Sequence, residues 1–408
     1  TNLIIGTSTI DGDLTLLSGG TITDTNGSTV TVKRDLSATT DASDRAITLN
    51  DLAVDGAFTL APDGTGAVII VNDAGLKLAA STMGGTFSGT ATNGNITQTG
   101  ALAITGTTTL VTSENNATIT LETSTNKFAG QVDLSTQGTS GHVSLVHGDH
   151  SEFLDFAASE VRGNLTVTTG TGGRVRQYGI ITVDGTTDIN ADDKGQNIYF
   201  NTSENVLTGA VSMKSHWAKI QNSKALELGT IDAKGLAVTA RGPVTQSGIV
   251  EAPNSSSTIT AQNVAGDTKY NVTLENTLND LKTLVVVAAD NVSLKDKNAI
   301  ELGASTVSRN YALTAGDAVT NSGALDIGGI TTISASGQTV ELNEATNNFG
   351  GEVRITGAAV TIVDEDTLVL GASTVGGAYT VTAGGAITQG LGALDITGIT
   401  TITAQDSS

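Results

Sequence analysis

The sequence predicts an all-β chain that winds as a three-sided parallel β-solenoid. Three observations carry that prediction. A unit of roughly seventy residues recurs six times, apolar residues inside each unit alternate with a period of two, and the composition suits short strands joined by tight corners.

The repeat comes first. Its clearest copies are Leu302-Gly-Ala-Ser-Thr-Val307 and Leu370-Gly-Ala-Ser-Thr-Val375. The same station reads Ile5-Gly-Thr-Ser-Thr-Ile10, Leu78-Ala-Ala-Ser-Thr-Met83, Phe156-Ala-Ala-Ser-Glu-Val161 and Leu228-Gly-Thr-Ile231. Copies therefore start near 5, 78, 156, 228, 302 and 370, at nearly constant spacing. A second station keeps the same step: Ile96-Thr-Gln-Thr-Gly100, Val244-Thr-Gln-Ser-Gly248, Val319-Thr-Asn-Ser-Gly323 and Ile387-Thr-Gln389. A third is Lys127-Phe-Ala-Gly-Gln-Val132 and Asn348-Phe-Gly-Gly-Glu-Val353, with Val206-Leu-Thr-Gly-Ala-Val211 as a looser member.

Inside a unit the strands are legible. Val353 and Ile355 point one way while Arg354 and Thr356 point the other, and the pairs Val360/Ile362, Leu368/Leu370 and Tyr379/Val381 repeat the pattern. Each run is short and ends in Gly, Asn, Asp or Ser. Three strands per coil give coils starting near Val353, Tyr379 and Ile399, about three to each repeat. Eighteen such coils, stacked at roughly 4.8 Å, would make a rod about 85 Å long. Equivalent inward positions of successive copies, Leu14, Phe87, Leu165, Leu236, Tyr311 and Tyr379, are expected to share one column. Outward Thr suits a strand, Gly at corners permits positive φ, and Pro is scarce because interior strands need every N–H.

Composition narrows the function classes. Gly 49, Pro 3 and 3% aromatic residues, with Gly in no three-residue period, exclude collagen. Forty-one acidic residues against 20 basic ones give a formal charge of -21, which disfavours nucleic acid and anionic lipid as partners and allows weak, nonspecific Ca²⁺ attraction. With no cysteine there is no disulfide framework or thiolate metal site. The longest apolar run, Leu284 to Ala289, is far too short to cross a bilayer as a helix. The chain opens on Thr1-Asn2-Leu3-Ile4-Ile5 inside a repeat copy and is read as one continuous solenoid, 1–408, cut from a longer protein.

The segments Gly163-Asn-Leu-Thr-Val-Thr168, Asn116 to Val132 and Gly376-Gly-Ala-Tyr-Thr-Val-Thr-Ala-Gly-Gly-Ala-Ile-Thr-Gln389 resemble the repeat region of filamentous-haemagglutinin-like bacterial exoproteins. The resemblance covers essentially the whole chain and lies in repeat texture rather than in a catalytic motif. It implies a right-handed β-helix outside the cell, on the bacterial surface or in a secreted matrix. Such a segment is usually a stalk or fibre that extends an adhesive tip or joins a biofilm matrix.

Two stretches depart from the consensus. His142, His147, Asp149 and His150 gather imidazole and carboxylate donors of the kind transition metals select. No matching set recurs in other copies, so an exposed, degenerate coil is the preferred reading and no metal is assigned. Trp217, the only Trp, is the candidate contact residue, for a sugar or a neighbouring molecule; a core or corner role is the preferred alternative. Asp364-Glu365-Asp366 supplies oxygen ligands, but the Ca²⁺-binding Gly-Gly-x-Gly-x-Asp repeat is absent. No phosphate loop or nucleophile set can be assembled, and near-constant spacing leaves little chain for a cleft, so the chain is expected not to be an enzyme and to need no cofactor. A polysaccharide-degrading β-helix is the remote alternative. The expected role is a structural extracellular rod, with a self-assembling filament or sheath as its rival. The expected partners are other copies of the chain or cell-surface and matrix polysaccharide or protein.

Overall fold

The computed structural model describes residues 1–148, 153–191 and 195–405. Among them there is no helix: 52 strands of two to twelve residues pair in parallel, and the chain is a parallel β-solenoid of about 19 turns. It divides into two compact units, the first formed by residues 1–209 and 213–216 and the second by residues 210–212 and those from 217 onward.

In the first unit one ladder runs Leu3, Ile22, Ile47, Val68, Phe87, Thr108, Val132, Phe156, Gln177, each residue paired with the next. Its steps are uneven, shorter from Leu3 to Ile22 than from Ile22 to Ile47. In the second unit a ladder runs Leu226, Val244, Val272, Val292, Tyr311, Thr331, Val353, Leu370, Gln389. There the shortest step is Val353 to Leu370 and the longest Val244 to Val272. Alternation does the sorting: inward Val, Ile, Leu and Phe are buried, while most Thr, Ser and charged neighbours face out, with Thr108 and Thr331 among the polar residues that take inward positions. Phe58, Phe87, Phe128, Phe156, Phe200, Phe349, Tyr311 and Tyr379 are the largest fully buried side chains.

The expected single column is corrected by these ladders. Leu14 stacks on Leu36, then Phe58, then Leu78, whereas Phe87 belongs to the separate ladder of Val68 and Thr108. Tyr311 and Tyr379 are likewise on different ladders, since Tyr379 pairs with Val360 and Thr400. The reason is that three coils fall short of one repeat. Three coils carry Leu14 to Leu78, but the next copy's equivalent of Leu14 is Phe87, one strand and a corner further along. Three coils carry Tyr311 to Leu370, and Tyr379 again lies one strand and a corner beyond. Equivalent residues therefore move to a different face from copy to copy.

That extra strand arises at the Leu-Gly-Ala-Ser-Thr-Val station. A continuous strand below, such as Glu352–Gly357, is covered by two short ones, Leu368–Leu370 and Ser373–Val375, with a jog at Gly371-Ala372. At the jog the Ser373 hydroxyl takes the place of a backbone acceptor: Oγ receives the Ile355 N–H at 3.1 Å and donates to the Gly371 carbonyl. Ser81, Ser159 and Ser305 do the same for the N–H groups of Leu60, Leu134 and Val286. A buried N–H left without a partner is costly, which explains a serine at this point.

Glycine answers a different need from the one expected. Among the described residues only eight glycines have positive φ, of 49 in the sequence. More often the corner backbones of successive coils pass so close that there is no room for a side chain. Gly85, Gly106 and Gly130 stack in this way, and a Cβ on either upper residue would collide with the carbonyl group beneath it.

Candidate functional site

Of the polar side chains that the sequence marked for chemistry, His147 and Asp364 lie buried inside corners. His147 is fully buried, and its Nδ1 accepts the N–H of Phe128 at 3.3 Å. Other copies place Asn72, Asn222, Asp296 and Asp364 at the same station, each about one repeat from the next. Asn72 Oδ1 accepts the Val54 N–H at 2.8 Å, Asp296 Oδ2 that of Leu281 at 2.7 Å, and Asp364 Oδ2 that of Phe349 at 2.8 Å. His147 is therefore one version of a recurring corner cap, which corrects its reading as part of an exposed coil. His142 immediately precedes the strand Val143–His147 and is exposed, with Nδ1 accepting the Asn164 N–H at 2.8 Å. The two imidazoles do not converge, and Asp149 and His150 lie outside the described residues. Asp364 is also committed, since its second oxygen accepts the Asp366 N–H.

Burial sets the charge state of these caps. Removal from water pushes the Asp296 carboxyl up to about 6, against the opposing pull of two backbone N–H groups. Asp364 is raised for the same first cause.

The Val-Thr-Gln-Ser-Gly station is explained by a second clamp. Gln98 and Asn126 exchange two amide hydrogen bonds, 2.9 and 2.8 Å, while Asn126 Oδ1 also receives the Leu102 N–H. Gln177 with Asn205 and Gln246 with Asn279 repeat the exchange, and Asn321 donates to Asn347 in the fifth copy. Each pair joins residues about one coil and a corner apart in the chain.

One outer face differs from the rest of the first unit. All of that unit's aromatics that are not buried, Phe153, Tyr178 and Tyr199, sit on the successive strands Phe153–Phe156, Arg174–Gln177 and Asn197–Phe200 or just beyond them. Arg176 stands opposite Asp155 on one side and Tyr199 on the other. Its guanidinium lies 3.6 Å over the Phe153 ring and 5.2 Å from the Tyr178 ring, and it forms two hydrogen bonds with Asp155, 2.9 and 2.8 Å. Arg174 donates to Gln196, and Asn197 donates to the Tyr199 hydroxyl at 2.6 Å. A shallow groove of about 320 Å³ is lined by Asp133, Ser135, Glu160, Ile180 and Thr182, and its Ile180 edge lies two residues along the chain from Tyr178. Tyr178 is 57% exposed and Ile180 45%. Sequence reading missed this face; the signal was Arg174, Arg176 and Tyr178 alternating in a chain with few aromatics.

Trp217 lies in the second unit, half-buried at the start of Trp217–Asn222 and paired with Gly235. Its ring occupies the space a side chain at Gly235 would need. It is neither a core residue nor a freely exposed platform.

Repeated coils, side-chain clamps that recur at equivalent corners and one distinctive outer face define a β-solenoid repeat protein. The chain belongs to the family described as repeats of unknown function (DUF5649), whose model matches at residues 1–62, 65–135, 140–214, 216–288, 289–356 and 357–408. No curated protein and no solved structure matches the chain.

Proposed function

We propose that the chain is a structural, non-catalytic segment of a bacterial surface adhesin or matrix fibre, held outside the cell. The observation that supports this most is the recurrence of corner side chains whose hydrogen bonds run to the neighbouring coil. The Ser jog, the amide pair and the corner cap each spend their hydrogen bonds on holding coil to coil, which favours keeping shape over chemistry. Coil-on-coil repetition lets stability accumulate with length, as a spacer requires. The resemblance to filamentous-haemagglutinin-like exoproteins and the acidic composition agree with that setting.

Antibodies against the purified chain test the location. Labelling of intact producing cells, abolished by brief external protease, is expected. Labelling only after the cells are broken open would remove the extracellular reading.

A further inference from the structure

We infer that the outer face around Tyr178 is a binding site for an uncharged glycan chain. This rests on the extracellular reading and gives it a ligand class.

The patch has the two surfaces a sugar needs: an aromatic face for its C–H side and fixed polar groups for its hydroxyls. Tyr178 supplies the first, since the Phe153 ring is already covered by Arg176. The Asp133 and Glu160 carboxylates and the Ser135 and Thr182 hydroxyls line the adjoining groove. Asp133 lies in line with Ala157 and Tyr178 on successive coils, because Val132 pairs with Phe156 and Phe156 with Gln177. Three coils by two or three outward positions span roughly 10 by 14 Å, the footprint of a disaccharide.

The electrostatics choose the class of glycan. The guanidiniums are held largely by carboxylates of the same face: Arg176 by Asp155, and Arg162 by Glu160 and Asp184. Rigid, mutually neutralised charges present donors and acceptors without a net field for a polyanion. The chain's charge of -21 repels polyanions further. A protein partner is disfavoured by area, since a standard interface buries about 800 Å² on each side and this face offers a fraction of that. Ordered aromatic and arginine side chains also bind with little loss of conformational entropy.

Affinity gel electrophoresis of the whole chain tests the site, with dextran, galactomannan or xyloglucan cast in the gel and alginate as the charged comparison. At least one neutral polymer should retard the chain. Tyr178→Ala should weaken that retardation about tenfold or more. Asp133→Asn should weaken it too, while Tyr270→Ala, in the second unit, should leave it unchanged. Circular dichroism of each variant checks that the strands persist. Absence of retardation by all three neutral polymers, retardation by alginate alone, or full binding by folded Tyr178→Ala would each overturn the site. Sedimentation showing self-association that Tyr178→Ala abolishes would assign the face to a second copy instead. Any of these results leaves the surface-labelling experiment, and the structural reading it tests, standing.

Discussion

Asp296 occupies a corner where two other copies hold asparagine, and the difference is one of charge. Its carboxyl is buried, and desolvation pushes it up to about 6 from an ordinary value of 3.8. The folded chain therefore holds the proton more tightly than the unfolded chain does. Below about pH 4 both states are protonated, and above about 6 both are ionised. Between those limits stability falls as pH rises, by at most about 3 kcal/mol for two pKa units. Asp364 is shifted in the same direction and adds to the slope. Asp296→Asn should flatten that part of the profile and raise stability at pH 7 by about 1 kcal/mol, because the lost acceptor for the Asn298 N–H offsets part of the gain. Urea titrations at pH 4, 5, 6 and 7 measure it. A variant whose pH profile matches the parent chain would show that Asp296 carries no such penalty.

At the scale of strands and corners, spacing between backbones matters more than backbone conformation. Gly106 sits directly over Gly85, and an added Cβ would strike the lower carbonyl group, whereas Gly12 has open space around it. Neither Gly106 nor Gly12 has positive φ. Gly106→Ala should cost about 1–3 kcal/mol through forced separation of the two coils. Gly12→Ala should be neutral or stabilise by about 0.5 kcal/mol by restricting the unfolded chain. Thermal unfolding of the two variants side by side decides; equal melting temperatures would mean that the corner yields freely. This scale also marks the boundary of what the sequence discloses. The period of two, the six copies and the Ser and Gln stations are local text and could be read directly. The partner of each side chain could not, because it lies one coil away and coil length is not constant, as the unequal steps Val353 to Leu370 and Val244 to Val272 show. That variation hid the surplus strand in each repeat and placed Leu14 and Phe87 in one column. His147 was partly legible, because it falls midway between Asn72 and Asn222 and so marks the same corner in three copies. Spacing alone could not reveal that the corner is buried. The Tyr178 face was missed because the residues that complete it, Phe153, Asp155 and Tyr199, lie on other coils, although Arg174, Arg176 and Tyr178 alternate within one stretch.

For the whole molecule, the consequence of stacking is that each coil depends chiefly on those it touches. Stability in such arrays is nearly a sum over neighbouring interfaces, so damage should stay local. Phe349 gives a clean test: it is fully buried, its N–H is capped by Asp364, and its strand Asn348–Phe349 pairs with Leu325–Ile327. Phe349→Ala removes an aromatic side chain from a close-packed core at a cost of about 3–5 kcal/mol. Hydrogen exchange followed by mass spectrometry should then find protection lost around residues 319–370, which contain the coils on either side of the cavity. Peptides from the first copy, residues 1–62, should exchange as in the parent chain. A globular core would answer differently, since its elements share one packed centre and open together near the global limit. Uniform loss of protection along the chain would therefore contradict nearest-neighbour stability. Confined loss would mean that single copies can be weakened, altered or fitted with a binding face while the others hold.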